Sequence, residues 1–223
     1  MVVMRDGSNY FCVLNDHPVA GGGNNLPKST FFNLSEEKKK KIFDAAVQEF
    51  SKQRFSDASI NQIVKNAGIP RGSFYQYFAD KEDIYLYVGE EMAKDINEIR
   101  GNQEAFNSNA SFFEIIMQRA KDTFKVGKIR PEYCKIGALT ETDNSEFILQ
   151  LLRASAEKHI KIIERDKQRG LIKPEIDSEL VIKITHTFVF NEYLYSGFDE
   201  TRYLKKVEGA IQIIKEGIAV HQD

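Results

Sequence analysis

The chain is poor in cysteine and has no long apolar run, and these two absences limit where it can work. Cys12 and Cys134 are too few for a disulfide framework and lack the spacing of zinc ligands, so we expect two reduced thiols. No apolar segment approaches the roughly 20 residues that span a bilayer, and the polar positions near the start, such as Asp6 and Asn9, argue against a secretion signal. We therefore expect a soluble, cytoplasmic protein without a membrane partner.

Catalytic signatures are also missing. The sequence contains no G-x-S-x-G nucleophile motif, no phosphate-binding glycine loop and no H-E-x-x-H metal motif. Helical di-metal sites need a glutamate three residues before a histidine, and neither His159 nor His186 has one. We expect no enzyme activity, no metal and no cofactor. A helical enzyme that carries a DNA-binding head stays a remote alternative.

The distribution of charge is more informative than its total. The 223 residues, 42% hydrophobic and 29% charged, suit a globular protein of one or two domains. The net charge is −2, yet the stretch from Lys38 to Lys81 has nine basic and four acidic residues, a net +5, which leaves −7 for the remainder. A positive segment on an acidic protein is typical of a DNA-binding head joined to an acidic body.

Residues 59–81, SINQIVKNAGIPRGSFYQYFADK, predict two short helices joined by a tight turn. Ser59 and Gln62 match a capping box, and apolar residues then recur at helical spacing. Gly68 can adopt the left-handed conformation that ends a helix, and Pro70 fits the first turn of the next one. The spacing therefore predicts a helix-turn-helix.

The second of these helices has one apolar and one polar face. Phe74 and Phe78 are four residues apart and share the buried face. The opposite face suits a DNA major groove, because glycine permits close approach, hydroxyls bond phosphates and glutamine can pair with adenine. An arginine in the first turn can bind guanine bidentately. The expected base-reading residues are Arg71, Gly72, Ser73 and Gln76.

The pattern S-I-x-x-I-V-x-x-A-G-I-P-R-G-S-F-Y-Q-Y-F-x-D-K-E-D-I resembles the helix-turn-helix of the tetracycline-repressor (TetR) family of bacterial transcriptional regulators. The resemblance covers roughly residues 36–92, and the A-G turn, G-S-F-Y and D-K-E fall in register. Pro70 departs from the family, which more often has a small polar residue there. The resemblance implies a homodimer that pairs through its last two helices. An ordinary helical hairpin is the structural alternative.

Four residues around the reading helix are expected to hold DNA phosphates: Ser59, Tyr75, Tyr77 and Lys81. Lys81 would start the next helix, where free amides also attract phosphate. The run Lys38–Lys41 has two interpretations, a solvated helix face or further phosphate contacts. Since one short helix reads few bases, we expect a dimer on a palindromic operator with half-sites about 34–36 Å apart.

Helical patterns continue to the end of the chain, and no strand period or internal repeat interrupts them, so the predicted class is all-α with about nine helices. Residues 1–33 are expected to form a flexible extension; a short strand, packing on a neighbour and a natural start near Leu26 are the alternatives. Residues 34–80 form the predicted DNA-binding domain, and residues 81–223 the ligand-binding and dimerisation domain. Within the latter, residues 81–100 predict a connector helix about 30 Å long.

The predicted body has aromatic and apolar residues with a few polar groups, which suits a small, mostly apolar ligand. The candidate pocket residues are Phe113, Met117, Phe124, Tyr133, Cys134, Phe147, Leu151, His186, Phe190 and Tyr193. His186 is the most suggestive polar anchor, and a hydrogen-bonded core histidine is its alternative role. We expect a repressor that a small-molecule effector releases from its operator by tilting the connector. A ligand-independent or architectural DNA-binding dimer is the alternative function.

Overall fold

The computed structural model describes residues 27–101 and 109–218, and its regular elements there are ten helices. They are α1 (Ser29–Phe32), α2 (Glu36–Phe50), α3 (Ile60–Ala67), α4 (Arg71–Tyr77), α5 (Lys81–Arg100), α6 (Phe112–Ile129), α7 (Pro131–Glu141), α8 (Glu146–Gln168), α9 (Ser178–Tyr195) and α10 (Glu200–Ile218). The predicted all-α class is confirmed, and all nine predicted helices are present. Predictions that concern residues 1–26, Cys12 among them, lie outside the described residues.

Helices α1 to α4 form the head. Ser35 begins α2, where its hydroxyl accepts the Lys38 amide at 3.4 Å and two glutamates occupy the positively polarised first turn. One face of α2 is buried against α3 and α5. Its buried residues are Ile42, Phe43, Ala45, Ala46, Val47, Glu49 and Phe50.

The turn between α3 and α4 forms as predicted, but the cap that precedes α3 does not. Gly68 ends α3 with φ +66°, the left-handed conformation. Ser59 is the N-cap residue of α3, yet its side chain accepts no hydrogen bond from a helix amide, so the predicted capping box is wrong. The Ser59 amide donates instead to the buried Glu49 carboxylate at 2.8 Å. Pro70 lies just before α4 in extended conformation rather than in its first turn.

Helix α5 is the connector, with the bounds that its sequence predicts. The Asp80 side chain caps it by accepting the Asp83 amide at 2.9 Å, and Gly101 ends it with φ +71°. Twenty residues at 1.5 Å per residue give a length of about 30 Å. The start of α5 packs in the head against α2, while the helix also contacts α6 of the body.

Helices α6 to α10 form the body, with α9 at its centre. Helix α9 contacts α6, α7, α8 and α10, which explains why its sequence is apolar on more than one side. Small residues permit the closest approaches: a Cβ on Gly127 of α6 would lie 2.2 Å from the Tyr193 ring, and one on Gly137 of α7 2.8 Å from Phe190. The body core therefore depends on glycine where α9 crosses its neighbours.

Residues 27–33 differ from the predicted flexible extension, because they contain α1 and pack on the head. Phe31 is 1% exposed. Its ring centroid lies 5.2 Å from that of Phe78 and 4.9 Å from that of Tyr87. Four residues are too few for a helical period to be visible in sequence, so aromatic packing is what orders this segment.

Candidate nucleic-acid interface and effector site

Helix α4 presents the polar face that the sequence predicts. Phe74 and Phe78 are fully buried, whereas Arg71, Gly72, Tyr75 and Gln76 are exposed and Ser73 is half-buried. A Cβ placed on Gly72 would meet no atom within 4 Å. Nothing within the chain therefore requires a glycine at this position, whereas a close approach by another molecule would.

The Arg71 side chain is already held in place. Its guanidinium donates to the Asn61 side-chain oxygen on α3 and to the Tyr75 hydroxyl at 3.2 Å, and it lies 5.8 Å from the centre of the Tyr75 ring. Asn61 was not identified from the sequence, because a single asparagine on a helix does not reveal which residue it will contact on another helix. A base contact by Arg71 has to replace or extend these bonds.

The predicted phosphate contacts differ in their surroundings. Tyr75 is exposed, Ser59 is half-buried and Tyr77 is buried, with Lys38 lying 5.8 Å from its ring centre. The Lys81 ammonium donates to the Ser56 and Ala58 carbonyls at 3.1 and 3.0 Å. Partial burial lowers the pKa of Lys81. Of the four side chains, Tyr75 is the most exposed and therefore the most accessible to a DNA backbone.

The lysine run at the start of α2 forms ion pairs on its own helix. Lys39 lies 2.8 Å from Glu36, Lys40 2.6 Å from Asp44 and Lys41 2.7 Å from Glu37. These pairs are solvent-exposed on at least one side, and such pairs contribute little to stability. The pairing supports the interpretation of the run as a solvated face.

The head is joined to the body through the α2–α3 loop. The Ser56 amide donates to the Asp143 carboxylate at 2.8 Å, and the Phe55 ring lies 5.1 Å from Tyr85 and 4.6 Å from Phe147. One residue pair along the same boundary, Tyr85 and Thr140, shares a hydrogen bond of 2.7 Å. Phe147, a candidate pocket residue, thus packs at this junction.

The other candidate pocket residues lie in the body and differ in their burial. Tyr133, Cys134, Leu151, Phe190 and Tyr193 are buried, and Phe124 is packed between Tyr193 and Tyr203, with centroids at 5.9 and 5.6 Å. Tyr133 donates to Asp95 of the connector. Phe113 and Met117 are half-buried on α6. The structure thus distributes these side chains through the body core.

His186 belongs to a buried polar cluster, which we define as Arg119, Glu141, His159 and His186. Arg119 donates to His186 Nε2 at 2.7 Å, and because arginine can only donate, the proton of His186 lies on Nδ1. That nitrogen faces Glu141 Oε1 at 4.0 Å. The His159 ring lies edge-on to His186, with centroids 4.8 Å apart.

Burial sets the protonation of the polar cluster. Desolvation, reinforced by the Arg119 charge, holds the pKa of His186 well below its ordinary value and lowers the pKa of His159 to about 3. Burial likewise raises the pKa of Glu141, against the pull of Arg119. Arg119, Glu141 and His159 were not singled out in the sequence, because their partners lie on other helices and leave no local pattern.

An apolar stripe follows the outer side of α9. Leu180 is 54% exposed, Ile184 47% and Tyr195 76%, and Phe188 lies between them, half-buried. Phe188 also lines a surface groove with α10, in which Ile213 is 73% exposed. Large exposed apolar patches of soluble proteins are often sites of contact with another molecule. Among residues 27–101 and 109–218, no helix has the length and apolar composition needed to cross a membrane.

The head is similar to a known family of proteins. Residues 42–88, from α2 into α5, match the model of the bacterial regulatory proteins of the tetR family. The HTH-type transcriptional regulator AcrR of Shigella flexneri is 34% identical over 71 residues, 32% of this chain and 33% of AcrR. The match thus spans about a third of that relative.

Solved structures extend the likeness to most of the chain. A TetR family transcriptional regulator from Chloroflexus aurantiacus J-10-FL superposes with a TM-score of 0.63 at 23% identity, covering 88% of this chain and all of that one. FadR from Bacillus subtilis, in complex with stearoyl-CoA, gives a TM-score of 0.57 at 21% identity, covering 81% of this chain and 99% of FadR. At these identities the likeness establishes the fold.

Proposed function

We propose that this chain, which belongs through its N-terminal domain to the tetR family of bacterial regulatory proteins, is a homodimeric DNA-binding repressor that releases its operator when a small ligand binds. The observation that carries the proposal is the outer face of α4, where exposed Arg71, Gly72 and Gln76 stand on a buried aromatic base. A helix that is buried on one side and carries small or amide side chains on the other side fits a major groove.

In this proposal Arg71, Ser73 and Gln76 read bases, and Gly72 lets the backbone of α4 approach them. Tyr75 is the best-supported phosphate contact, because it is exposed and its hydroxyl is already aligned with Arg71. Ser59, Tyr77 and Lys81 stay in the proposed set as contacts that need a change of side-chain position on binding.

The base-reading assignment is tested with Gln76→Ala. Duplexes selected by the wild-type chain from a random library define its sequence preference. The variant should lose preference at one operator position, by about 1–3 kcal/mol, while the other positions keep theirs. Gln62→Ala, an exposed glutamine on α3, is the matched control. An unchanged preference profile in Gln76→Ala would show that this side chain does not read a base.

The role of Lys81 is tested by removing its ammonium. If Lys81 binds phosphate, Lys81→Met should weaken binding to all sequences and reduce the slope of log affinity against log salt by about 1. If its bonds to the Ser56 and Ala58 carbonyls are its whole role, the variant should lose stability with no change in that slope.

Dimerisation through α9 and α10 is supported by the exposed apolar stripe. A second copy of the chain related by a two-fold axis would cover the stripe and place two heads on one face of the duplex. Ile184→Glu should shift the sedimentation mass from dimer to monomer. Ile129→Glu, which changes an equally exposed isoleucine on α6, should leave the mass unchanged. A monomeric wild-type chain would refute this part of the proposal.

The effector is proposed to act on α5, which runs from the head into contact with α6. A coupling of about 1–3 kcal/mol between ligand and DNA is sufficient for such a switch. Because FadR of Bacillus subtilis was solved with stearoyl-CoA, that compound is the first probe, followed by smaller apolar molecules. A probe that binds the body should lower affinity for the selected duplex at least fivefold.

Two alternatives to this function have distinct outcomes. If body-bound molecules never change DNA affinity, the chain is a ligand-independent or architectural DNA-binding dimer. The remote alternative, an enzyme with a DNA-binding head, would require a catalytic set in the body. The polar cluster of Arg119, Glu141, His159 and His186 is the place to test it, by replacing His186 and following turnover of any substrate found.

A further inference from the structure

Helix α4 ends in a way that leaves carbonyl groups without donors from the helix itself. The last four carbonyls of an α-helix lack an amide four residues further on. Helix α3 solves this with the left-handed Gly68. Helix α4 has no such turn, because Phe78 follows it in extended conformation, φ −128° and ψ 145°, with its ring buried. At the end of α4 these carbonyls include those of Tyr75, Gln76 and Tyr77, whereas the Phe74 carbonyl still accepts the amide of Phe78, four residues on, at 2.9 Å.

Residues 28–30 supply most of the missing donors. The Lys28 amide donates to the Tyr77 carbonyl at 2.9 Å, and the Lys28 ammonium donates to the Tyr75 carbonyl at 2.9 Å. The Thr30 hydroxyl donates to the Gln76 carbonyl. These three carbonyls are therefore all bonded by a segment that precedes the helix-turn-helix.

The donors are fixed by an aromatic anchor. Phe31 is 1% exposed and packs on Phe78 and Tyr87, whereas Lys28 and Thr30 are exposed. Water could hydrogen-bond to carbonyls that are exposed. The need to satisfy buried polar groups therefore does not by itself explain the bonds from Lys28 and Thr30. The Lys28 ammonium also lies at the negative end of the helix dipole, where a cation is favourable.

We propose that Lys28, Thr30 and Phe31 are positioning residues for DNA reading, which hold the last turn of α4 in register before DNA arrives. An isolated helix of seven residues is unstable in water, and a side chain that is ordered beforehand loses less entropy on binding. The carbonyls they hold belong to the turn that carries Tyr75 and Gln76. This inference rests on the proposed function, because it assigns these residues to DNA binding.

The test uses the full chain with the double variant Lys28→Met and Thr30→Val, which keeps side-chain size and the buried Phe31. The matched control is Ser29→Ala with Lys52→Met, which removes one hydroxyl and one charge at other exposed positions. Hydrogen exchange of amides 74–78 is measured without DNA. Affinity is measured for a duplex selected by the wild-type chain and for a shuffled duplex of equal composition.

We expect exchange of amides 74–78 to be about tenfold faster in the double variant, as the loss of two hydrogen bonds predicts. Affinity for the selected duplex should fall about tenfold, and affinity for the shuffled duplex less than threefold. The control should match the wild type in all three measurements. Phe31→Ala should act in the same direction, and if it fails to fold, the surface variant decides.

Three results would overturn the inference. Unchanged exchange in the double variant would show that the capping bonds do not order α4. Faster exchange with unchanged affinity for the selected duplex would show that the order serves stability alone. A wild-type chain that selects no sequence would refute the proposed function and, with it, any role in reading DNA.

Discussion

The head is built around aromatic rings, whereas the body encloses the polar cluster of Arg119, Glu141, His159 and His186. In the head, Phe31, Phe78 and Tyr87 pack with centroids 4.9 to 5.8 Å apart. The head's buried carboxylate Glu49 accepts a backbone amide and so fixes a loop. In the body, Arg119 donates to His186, and the His186 ring packs edge-on against His159.

The head and the body should therefore respond to different perturbations. An apolar core is indifferent to pH and yields to changes of volume, whereas a buried ionisable cluster loses stability when a neutral group must take up a charge. The head is thus suited to present a fixed surface, and the body to respond to its surroundings.

Acid should destabilise the body through its buried histidines. His159 has a pKa of about 3 in the folded chain and His186 one well below its ordinary value, against about 6.5 when unfolded. The unfolded state therefore binds more protons below pH 6.5, and stability falls from there towards pH 3 by up to about 1.4 kcal/mol per pH unit for each histidine.

Urea unfolding between pH 7.5 and 5 measures this slope. His186→Gln keeps an acceptor for Arg119 but does not titrate, so its unfolding free energy should depend less steeply on pH than that of the wild type. Equal slopes in the two proteins would contradict the assignment of the acid response to this cluster.

Gly127→Ala should destabilise the body by about 3 kcal/mol, because its methyl group would lie 2.2 Å from the buried Tyr193 ring. Chemical denaturation gives the change in unfolding free energy. Gly217→Ala on α10 is the control, since a Cβ there meets nothing within 4 Å. If both variants were equally stable, the packing of α6 against α9 would be looser than described.

Gly72→Ala should separate DNA binding from stability in the head. A methyl group here has open space, and alanine favours helix over glycine by up to about 1 kcal/mol, so stability should stay equal or rise. Affinity for the selected duplex should nevertheless fall about tenfold, because the methyl group would keep the backbone of α4 away from the bases. Unchanged affinity would mean that α4 does not approach DNA at this position.

Asp143→Asn should loosen the junction by about 1 kcal/mol. Its carboxylate accepts the amides of Ser56 and Ser145 at 2.8 Å each. Desolvation raises the pKa of Asp143, but hydrogen bonding by Ser145 and Ser56 outweighs it and holds that pKa below its ordinary value. Hydrogen exchange at the Ser56 amide should become faster, whereas Glu157→Gln on the exposed side of α8 should change nothing. Exchange as slow as in the wild type would remove Asp143 from the junction.

The parts of the fold that local signals determine could be predicted from the sequence. Gly68 and Gly101 have the positive φ that ends a helix, and the bounds of α5 follow from Asp80 and Gly101. The polar face of α4 also followed from helical spacing. In each case the cause lies within a few residues of its effect.

The remainder depends on contacts between residues far apart in sequence. Helix α1 has only four residues, and it is stabilised by the rings of Phe78, which follows α4, and of Tyr87 on α5. The predicted capping box at Ser59 was wrong because the Ser59 amide donates to Glu49 of α2, a residue outside the motif. Arg119 and His186 are 67 residues apart, so no local sequence pattern predicts their hydrogen bond. The base and phosphate contacts stay predictions.

In the proposed switch, the unbroken length of α5 determines how small a movement at the effector site is sufficient. A rod of about 30 Å that turns by about 5° at one end carries the other end through about 2.6 Å. Neighbouring base pairs are about 3.4 Å apart along one strand of the duplex. If both subunits swing outward, their combined travel exceeds one base step, so a slight rotation suffices to put the two heads out of phase with the double helix.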